Sequence, residues 1–337
     1  MYEEIERLTR ALCAAHGTPG CEEEAYRAAA QALSFCDAVE VDALGGVTGV
    51  LGDRNAKRRI LLDAHIDQIG LVVTNIDENG FLRVTNVGGV DCRTMPGSTV
   101  TVYGRETLTG IVCTLPPHLA KGDGENIPPV SEQAVDVGLS REEAEALVSV
   151  GDRAVLTNPL KRLLGSRISG TALDDRAGCA CIIRAAQLVR DKLSGCCVLV
   201  LCSARGVRRA HRCAPRAEPT EAIAVDVSFA AQPGASELPG KLGGGPMVGF
   251  SAALDRKISK RLAALAEKHG IPYQPEAMGG RTGTNCDAIG VSRAGVRTGL
   301  ISVPQRNMHT PAEVCDLADM ENTARLIAAY ITDGAEE

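Results

Sequence analysis

Apolar positions recur at helical spacing over residues 2–15 and 21–34, which predicts two amphipathic helices at the start of the chain. The period then shortens: Arg59-Ile60-Leu61-Leu62-Asp63-Ala64-His65 reads as a buried strand. Between about 70 and 163 the pattern becomes short alternating strands punctuated by Gly and Pro, of which Gly97-Ser98-Thr99-Val100-Thr101-Val102-Tyr103-Gly104 is typical. One short helix interrupts them, opened by a capping box at Ser140 and Glu143. Beyond 163 the chain alternates again. A long helix over 175–192 is followed by strands at 197–201 and 222–226, a helix over 253–269, a strand over 298–303 and a final helix over 318–333.

Strands alternating with helices imply an α/β fold, a doubly wound and mostly parallel sheet with helices on both faces. The central stretch implies a small β-barrel inserted into it. The expected division is a larger domain from 1–69 and 164–337 and an inserted barrel from 70–163. A length of 337 residues agrees with two domains, because single cores stop growing near roughly 250–300 residues.

Composition narrows the class. Aromatics make up 3% with no Trp, so the core is aliphatic, and the net charge of -6 argues against nucleic acid or an anionic membrane as partner. The N-terminus is acidic and amphipathic rather than signal-like, and no apolar run reaches the roughly 18 residues of a membrane span. Thirteen Cys, an odd number with several inside apolar runs, favour a reducing cytoplasm.

Open α/β sheets collect ligands at the carboxyl ends of their strands, and four candidates fall there. His65-Ile66-Asp67 closes the first strand, where Asp67 can accept the second ring N–H of His65; the same pair also suits a satisfied core histidine. Asp174-Asp175 opens the long helix, as acids at a helix start often do. Asp226 ends an apolar strand, where it either serves a ligand or caps a turn, and His309 lies in a loop after the strand at 298–303.

The motifs Ala64-His65-Ile66-Asp67-Gln68-Ile69-Gly70, Ala172-Leu173-Asp174-Asp175-Arg176-Ala177-Gly178, Ala224-Val225-Asp226-Val227 and Met308-His309-Thr310-Pro311-Ala312-Glu313-Val314 resemble, in order and spacing, those of the glutamyl/deblocking aminopeptidases. These are dinuclear metallopeptidases, also called tetrahedral aminopeptidases, some of them labelled endoglucanases. The resemblance spans nearly the whole chain. It implies removal of N-terminal residues from short peptides and two divalent ions, zinc, cobalt or manganese by ligand type. It further implies that His65, Asp174 and Asp226 hold one metal, that Asp174 bridges to a second held also by His309, and that Asp67 orients His65. A homo-oligomer as large as a dodecamer, assembled through the inserted barrel, is implied as well. Thr284, Asn285 and Asp287 resemble a substrate-lining segment, although Gly283-Thr284-Asn285-Cys286-Asp287 equally suits a turn and helix cap.

One family motif is missing. Adjacent acids, one to move the proton of the attacking water and one to complete the second metal site, belong after the strand at 197–201, where this chain reads Ser203-Ala204-Arg205-Gly206-Val207. Five arginines (Arg205, Arg208, Arg209, Arg212 and Arg216) and no acid occupy 204–217, which disfavours a divalent cation and predicts little peptidase activity. Glu218 or Glu221 would be a distant substitute. The segment reads either as true degeneration, leaving a catalytically silent metal-binding or structural subunit, or as a local reading-frame error. Codons compatible with Ser203 through Cys213, read one base later, permit Gln-Arg-Glu-Glu-Cys-Gly-Gly-Arg-Thr-Gly-Ala. A glycan hydrolase is a weaker alternative, since it needs paired carboxylates at a set separation. Gly243-Gly244-Gly245-Pro246 reads as a turn with a possible substrate-side role, and no His adjoins Cys202 or Cys286 in sequence to activate it.

Overall fold

The computed structural model describes residues 2–42, 45–116, 127–203, 218–234 and 240–333. Helices α1 (Glu3–Ala14) and α2 (Glu23–Ala32) lead into strands β1 (Ala38–Val41), β2 (Val47–Gly52) and β3 (Arg58–His65). Six short strands follow: β4 (Gly70–Ile76), β5 (Leu82–Val87), β6 (Thr99–Tyr103), β7 (Thr107–Val112), β8 (Ala134–Asp136) and β9 (Arg153–Leu156). They close into an antiparallel barrel of order β4-β5-β8-β7-β6-β9. Helix α3 (Arg141–Leu147) decorates the barrel and carries the expected box: Ser140 accepts from the Glu143 backbone N–H while the Glu143 carboxylate accepts from Ser140 N at 2.9 Å.

The chain then builds β10 (Lys161–Arg162), β11 (Arg167–Gly170), α4 (Leu173–Val189), β12 (Cys196–Ser203), β13 (Glu221–Phe229), β14 (Met247–Ser251), α5 (Arg256–Lys268), β15 (Gln274–Met278), α6 (Cys286–Gly290), β16 (Arg297–Gln305), β17 (Glu313–Asp316) and α7 (Leu317–Thr332). Eight strands form the main sheet in the order β1-β2-β12-β3-β13-β16-β14-β15. Its centre, β12-β3-β13-β16, is parallel as expected, whereas β1–β2, β2–β12 and β16–β14 pair antiparallel. A small sheet, β10-β11-β17, stands apart.

Sequence periodicity misses β1, β2, β14, β15 and that small sheet. The reason is visible at β15, Gln-Pro-Glu-Ala-Met, an edge strand with no buried residue and no apolar alternation. Helix α4 is the opposite case. Fourteen of its residues are buried, and Ala, Gly and Cys let α1, α7 and the sheet approach it closely. The triple-glycine turn is an anchor in the fold: the Gly243 and Gly245 backbone N–H groups each donate to the Asp319 carboxylate at 2.7 Å.

Candidate metal centre

Strand β3 delivers His65 at its carboxyl end, and its register with β13 pairs Asp63 with Ala224, so Asp226 reaches the level of His65 on the neighbouring strand. Asp226 lies within β13, three residues before its end, rather than closing the strand. Asp174 stands at the mouth of α4, where φ -82° and ψ 106° keep it outside the helical turn, and its peptide bond to Asp175 is cis. These three elements place donor atoms of His65, Asp174 and Asp226 all within 4.8 Å of one another, every residue buried. His65 Nε2 is 3.0 Å from Asp174 Oδ1 and 3.9 Å from Asp226 Oδ1. His309 comes from the other side, with Nε2 3.1 Å from Asp174 Oδ2. The two oxygens of Asp174 thus face different imidazoles.

The surroundings hold these groups in place. His65 Nδ1 is 3.1 Å from the Asp67 carbonyl oxygen and 3.4 Å from its carboxylate, so both acceptors orient the ring. Buried Glu313, a residue of the fourth motif with no role legible in sequence, accepts from the backbone N–H of both Asp174 and His309 at 3.1 Å. His309 itself has φ 65° and leans on the barrel loop: a Cβ on Gly89 would lie 2.7 Å from its Nδ1. Behind the centre, buried Asp63 accepts from Ser203 Oγ at 3.0 Å and from Asn285 Nδ2 at 2.7 Å. Asp63, Glu313 and Gly89 were invisible to motif reasoning because their roles depend on which elements meet in space.

The electrostatics are those of a cation site. Burial alone would lower the His65 pKa, yet the Asp174 and Asp67 carboxylates outweigh it and raise it well above the ordinary histidine value. For Asp174 burial pushes upward, but His309 and His65 pull the carboxyl well below its usual range. Burial, then Asp226, pushes Asp175 well up. Asp174 Oδ1 is buried without an aligned hydrogen-bond partner, although His65 Nε2 is only 3.0 Å away. An orphaned carboxylate oxygen aimed at an imidazole nitrogen fits a divalent ion that both would ligate.

A family model described as M42 glutamyl aminopeptidase matches residues 45–326. The chain belongs to this family. It is 32% identical over 307 residues to the lysyl aminopeptidase of Pyrococcus furiosus, covering 88% of this chain and 87% of that protein. Among solved structures, aminopeptidase APDkam598 from the archaeon Desulfurococcus kamchatkensis superposes with a TM-score of 0.91 at 31% identity, covering 99% of this chain and 96% of that one. The TET1 peptidase of Pyrococcus horikoshii, described as able to assemble into a tetrahedron or a large octahedral shell, superposes with a TM-score of 0.86 at 30% identity, covering 98% of this chain and all of that one.

Within this M42 framework the stretch expected to supply the paired acids, 204–217 with Arg205 and Gly206, lies outside the described residues. Neither candidate substitute approaches the centre. Glu221 begins β13, five residues and roughly 17 Å of strand before Asp226, and is engaged by Arg58 and Tyr330. Glu218 pairs with Arg293. Of the segment at 283–287, Asn285 is buried against Asp63 and Ser203, Thr284 Oγ1 meets Thr282 Oγ1 at 2.8 Å, and Asp287 accepts from the backbone of Thr282 and Gly283. A cavity of about 320 Å³ adjoins the centre, bounded by His65, Asp67, Gln68, Asp174, His309 and Glu313, with barrel residues 87–90 opposite. Cys202 and Cys286 are buried, and burial pushes the Cys286 thiol far up.

Proposed function

We propose that this chain is a metallo-aminopeptidase by architecture, built to act on the free N-terminus of short peptides, with His65, Asp174 and Asp226 holding one divalent cation and Asp174 and His309 contributing to a second. The observation that carries this reading is the convergence of buried His65, Asp174 and Asp226 donors within 4.8 Å, with His309 on the other Asp174 oxygen. When bound, such a cation pair acidifies water and polarises the scissile carbonyl. The chain's own part is to orient: Asp67 fixes the His65 ring, Glu313 holds the backbones of Asp174 and His309, and the adjoining cavity receives the peptide end.

A hydrolase of this type also needs a base to carry the proton of water to the leaving amine. Among the described residues no further carboxylate stands in for the paired acids, and 204–217 contains none at all. Peptide turnover by the chain as written is therefore weak, which favours a second reading, a silent metal-binding subunit of an assembly. The barrel suits self-assembly: Ile111, Leu115 and Val150 are exposed apolar residues of this insertion. Among the described residues no helix is long and apolar enough to cross a membrane; the described cysteines are all free, which supports a reducing cytoplasm.

Metal stoichiometry, measured alongside hydrolysis of an aminoacyl-substrate panel by the same sample, tests the reading. One tightly bound metal with weak turnover is the expected result. A protein that binds no divalent metal would overturn it.

A further inference from the structure

A second cavity, about 460 Å³, lies behind the reaction cavity between the end of α1 and barrel strands β6 and β9. The two share three lining residues, Gln68, Leu156 and Thr171. Two members of this partition are tied down: Leu156 belongs to β9, and the Thr171 hydroxyl bonds to the Leu156 and Asn158 backbone. Gln68 differs. It is 6% exposed, and only its backbone N–H has a partner, the Gly17 carbonyl; its carboxamide makes no hydrogen bond among the described residues. The carboxamide is nonetheless not sealed: its atoms keep access to the cavity, where water or a ligand can partner it.

The lining states what that partner is. Ala14, Ala15, Val155, Pro159 and Leu160 present aliphatic surface. The cation of this lining, Arg10, is engaged by the Glu6 carboxylate, which also pairs with Arg162, and by the Leu160 carbonyl. Besides Gln68, the Tyr103 hydroxyl is a polar group on this wall with no hydrogen bond among the described residues. A carboxamide is both donor and acceptor, complementary to another amide. The volume is within the range of small-ligand pockets.

We propose that this cavity is a binding compartment for a neutral peptide unit with an aliphatic side chain, whose amide pairs with the Gln68 carboxamide. The inference deepens the peptidase reading by giving the peptide a second berth next to the reaction cavity. It is tested without metal or turnover, so its failure and the failure of that reading are separable.

The probe is N-acetyl-L-leucinamide, which has no free amine to seek a metal, titrated by calorimetry and ligand-observed NMR into the full chain stripped with a chelator. Saturable binding is expected. Ala14→Trp fills the second cavity from an exposed position outside the reaction cavity and should weaken binding at least about tenfold. Gln68→Ala should weaken it several-fold, and Val90→Trp, which fills only the reaction cavity, should leave it unchanged. N-acetyl-L-aspartate should compete less well, since Arg10 is already engaged by Glu6 and the Leu160 carbonyl. Absence of saturable binding, or equal affinity in the Ala14→Trp protein with its circular dichroism intact, overturns the proposal.

Discussion

Replacing Asp67 by Ala separates the contribution of a side chain that orients a metal ligand from that of the ligand itself. Loss of such an outer partner costs roughly 10–100-fold in metal affinity. The structure selects the lower end of that range. His65 Nδ1 has two acceptors, the Asp67 carbonyl at 3.1 Å and its carboxylate at 3.4 Å, and Asp67→Ala removes only the longer. The carbonyl still fixes the tautomer with Nε2 toward Asp174, and what disappears is the negative charge that strengthens the ring as a donor. The expected loss is about tenfold in cation affinity, or about 1.4 kcal/mol. His65→Ala, which deletes the donor atom, should lose more than about a hundredfold. A competition titration of Co(II) or Zn(II) against a chromophoric chelator at fixed pH reads both, with Asp67→Asn as the variant of nearly equal volume. If Asp67→Ala loses as much as His65→Ala, the carbonyl does not hold the ring and the orienting argument is wrong; if it loses nothing, the carboxylate plays no part in metal binding.

Arg205→Glu with Gly206→Glu returns two acids to the stretch where the family motif is missing and should raise both metal stoichiometry and aminoacyl hydrolysis, by at least about tenfold in rate; an unchanged rate would show that more than these acids is lost. Arg176 is fully buried and donates to the carbonyls of Leu12, Ala15 and Ile66, so Arg176→Met strands three acceptors, while losing the cost of a buried charge. A net loss of about 3 kcal/mol is expected in urea unfolding, and a neutral result would mean that the helix end finds other donors. The metal-free protein should be most stable between about pH 4.5 and 6. Burial raises Asp63 and Asp319 to about 6 from an ordinary 3.8, and His65 is raised as well. Groups raised in the folded state bind extra protons there, so stability grows as pH falls through their folded pKa. Buried His16, lowered to about 4, acts oppositely between about pH 6.5 and 4 but is outnumbered by the raised groups, and Glu4 and Glu6, held down to about 2 chiefly by Arg7 and Arg162 despite some burial, lose their modest, solvent-screened support below about 4.5. Thermal midpoints in EDTA from pH 4.5 to 8 check this, and a midpoint that climbs steadily to pH 8 would contradict it.

The motif-bearing residues of the candidate site were legible because each sits where its own element's apolar pattern begins, breaks or ends. His65 ends the run beginning at Arg59, Asp226 interrupts an apolar strand, and Asp174 opens a helix. What supports them was not legible. Glu313 works by accepting from the Asp174 and His309 backbones, 139 and 4 residues away, and Asp63 reaches Asn285 222 residues on. Such pairings follow from strand order, which periodicity does not encode. The strands at 38–41 and 274–278 escaped for a simpler reason: they lie at sheet edges with no buried side chain, and so carry no buried face to read.

The packing around Ser203 bears on the origin of the missing acids. Strand β12 keeps register with β3 to its last residue, pairing Ser203 with His65. The Ser203 side chain is fully buried, donating to Asp63 and accepting from Asn285 Nδ2 at 3.1 Å. The one-base-shifted reading places Gln at 203, and its three additional heavy atoms would have to enter a closed, hydrogen-bonded site, an overpacking that costs about 1–3 kcal/mol. The same frame offers Glu at both 205 and 206, the acids the rest of the centre lacks. The fit of Ser203 therefore argues that any frame change begins after residue 203, where the polar trio ends, and not at it. The coding sequence decides the matter: a single-base discrepancy in codon 204 or at the start of codon 205, compensated before codon 222, is the outcome expected for an error. Codons that confirm Arg205 and Gly206 in frame leave the cluster of His65, Asp174, Asp226 and His309 without the paired acids expected after Ser203. In that case the Ser203→Gln variant should unfold more readily than the parent, because its neighbours are already satisfied by a hydroxyl.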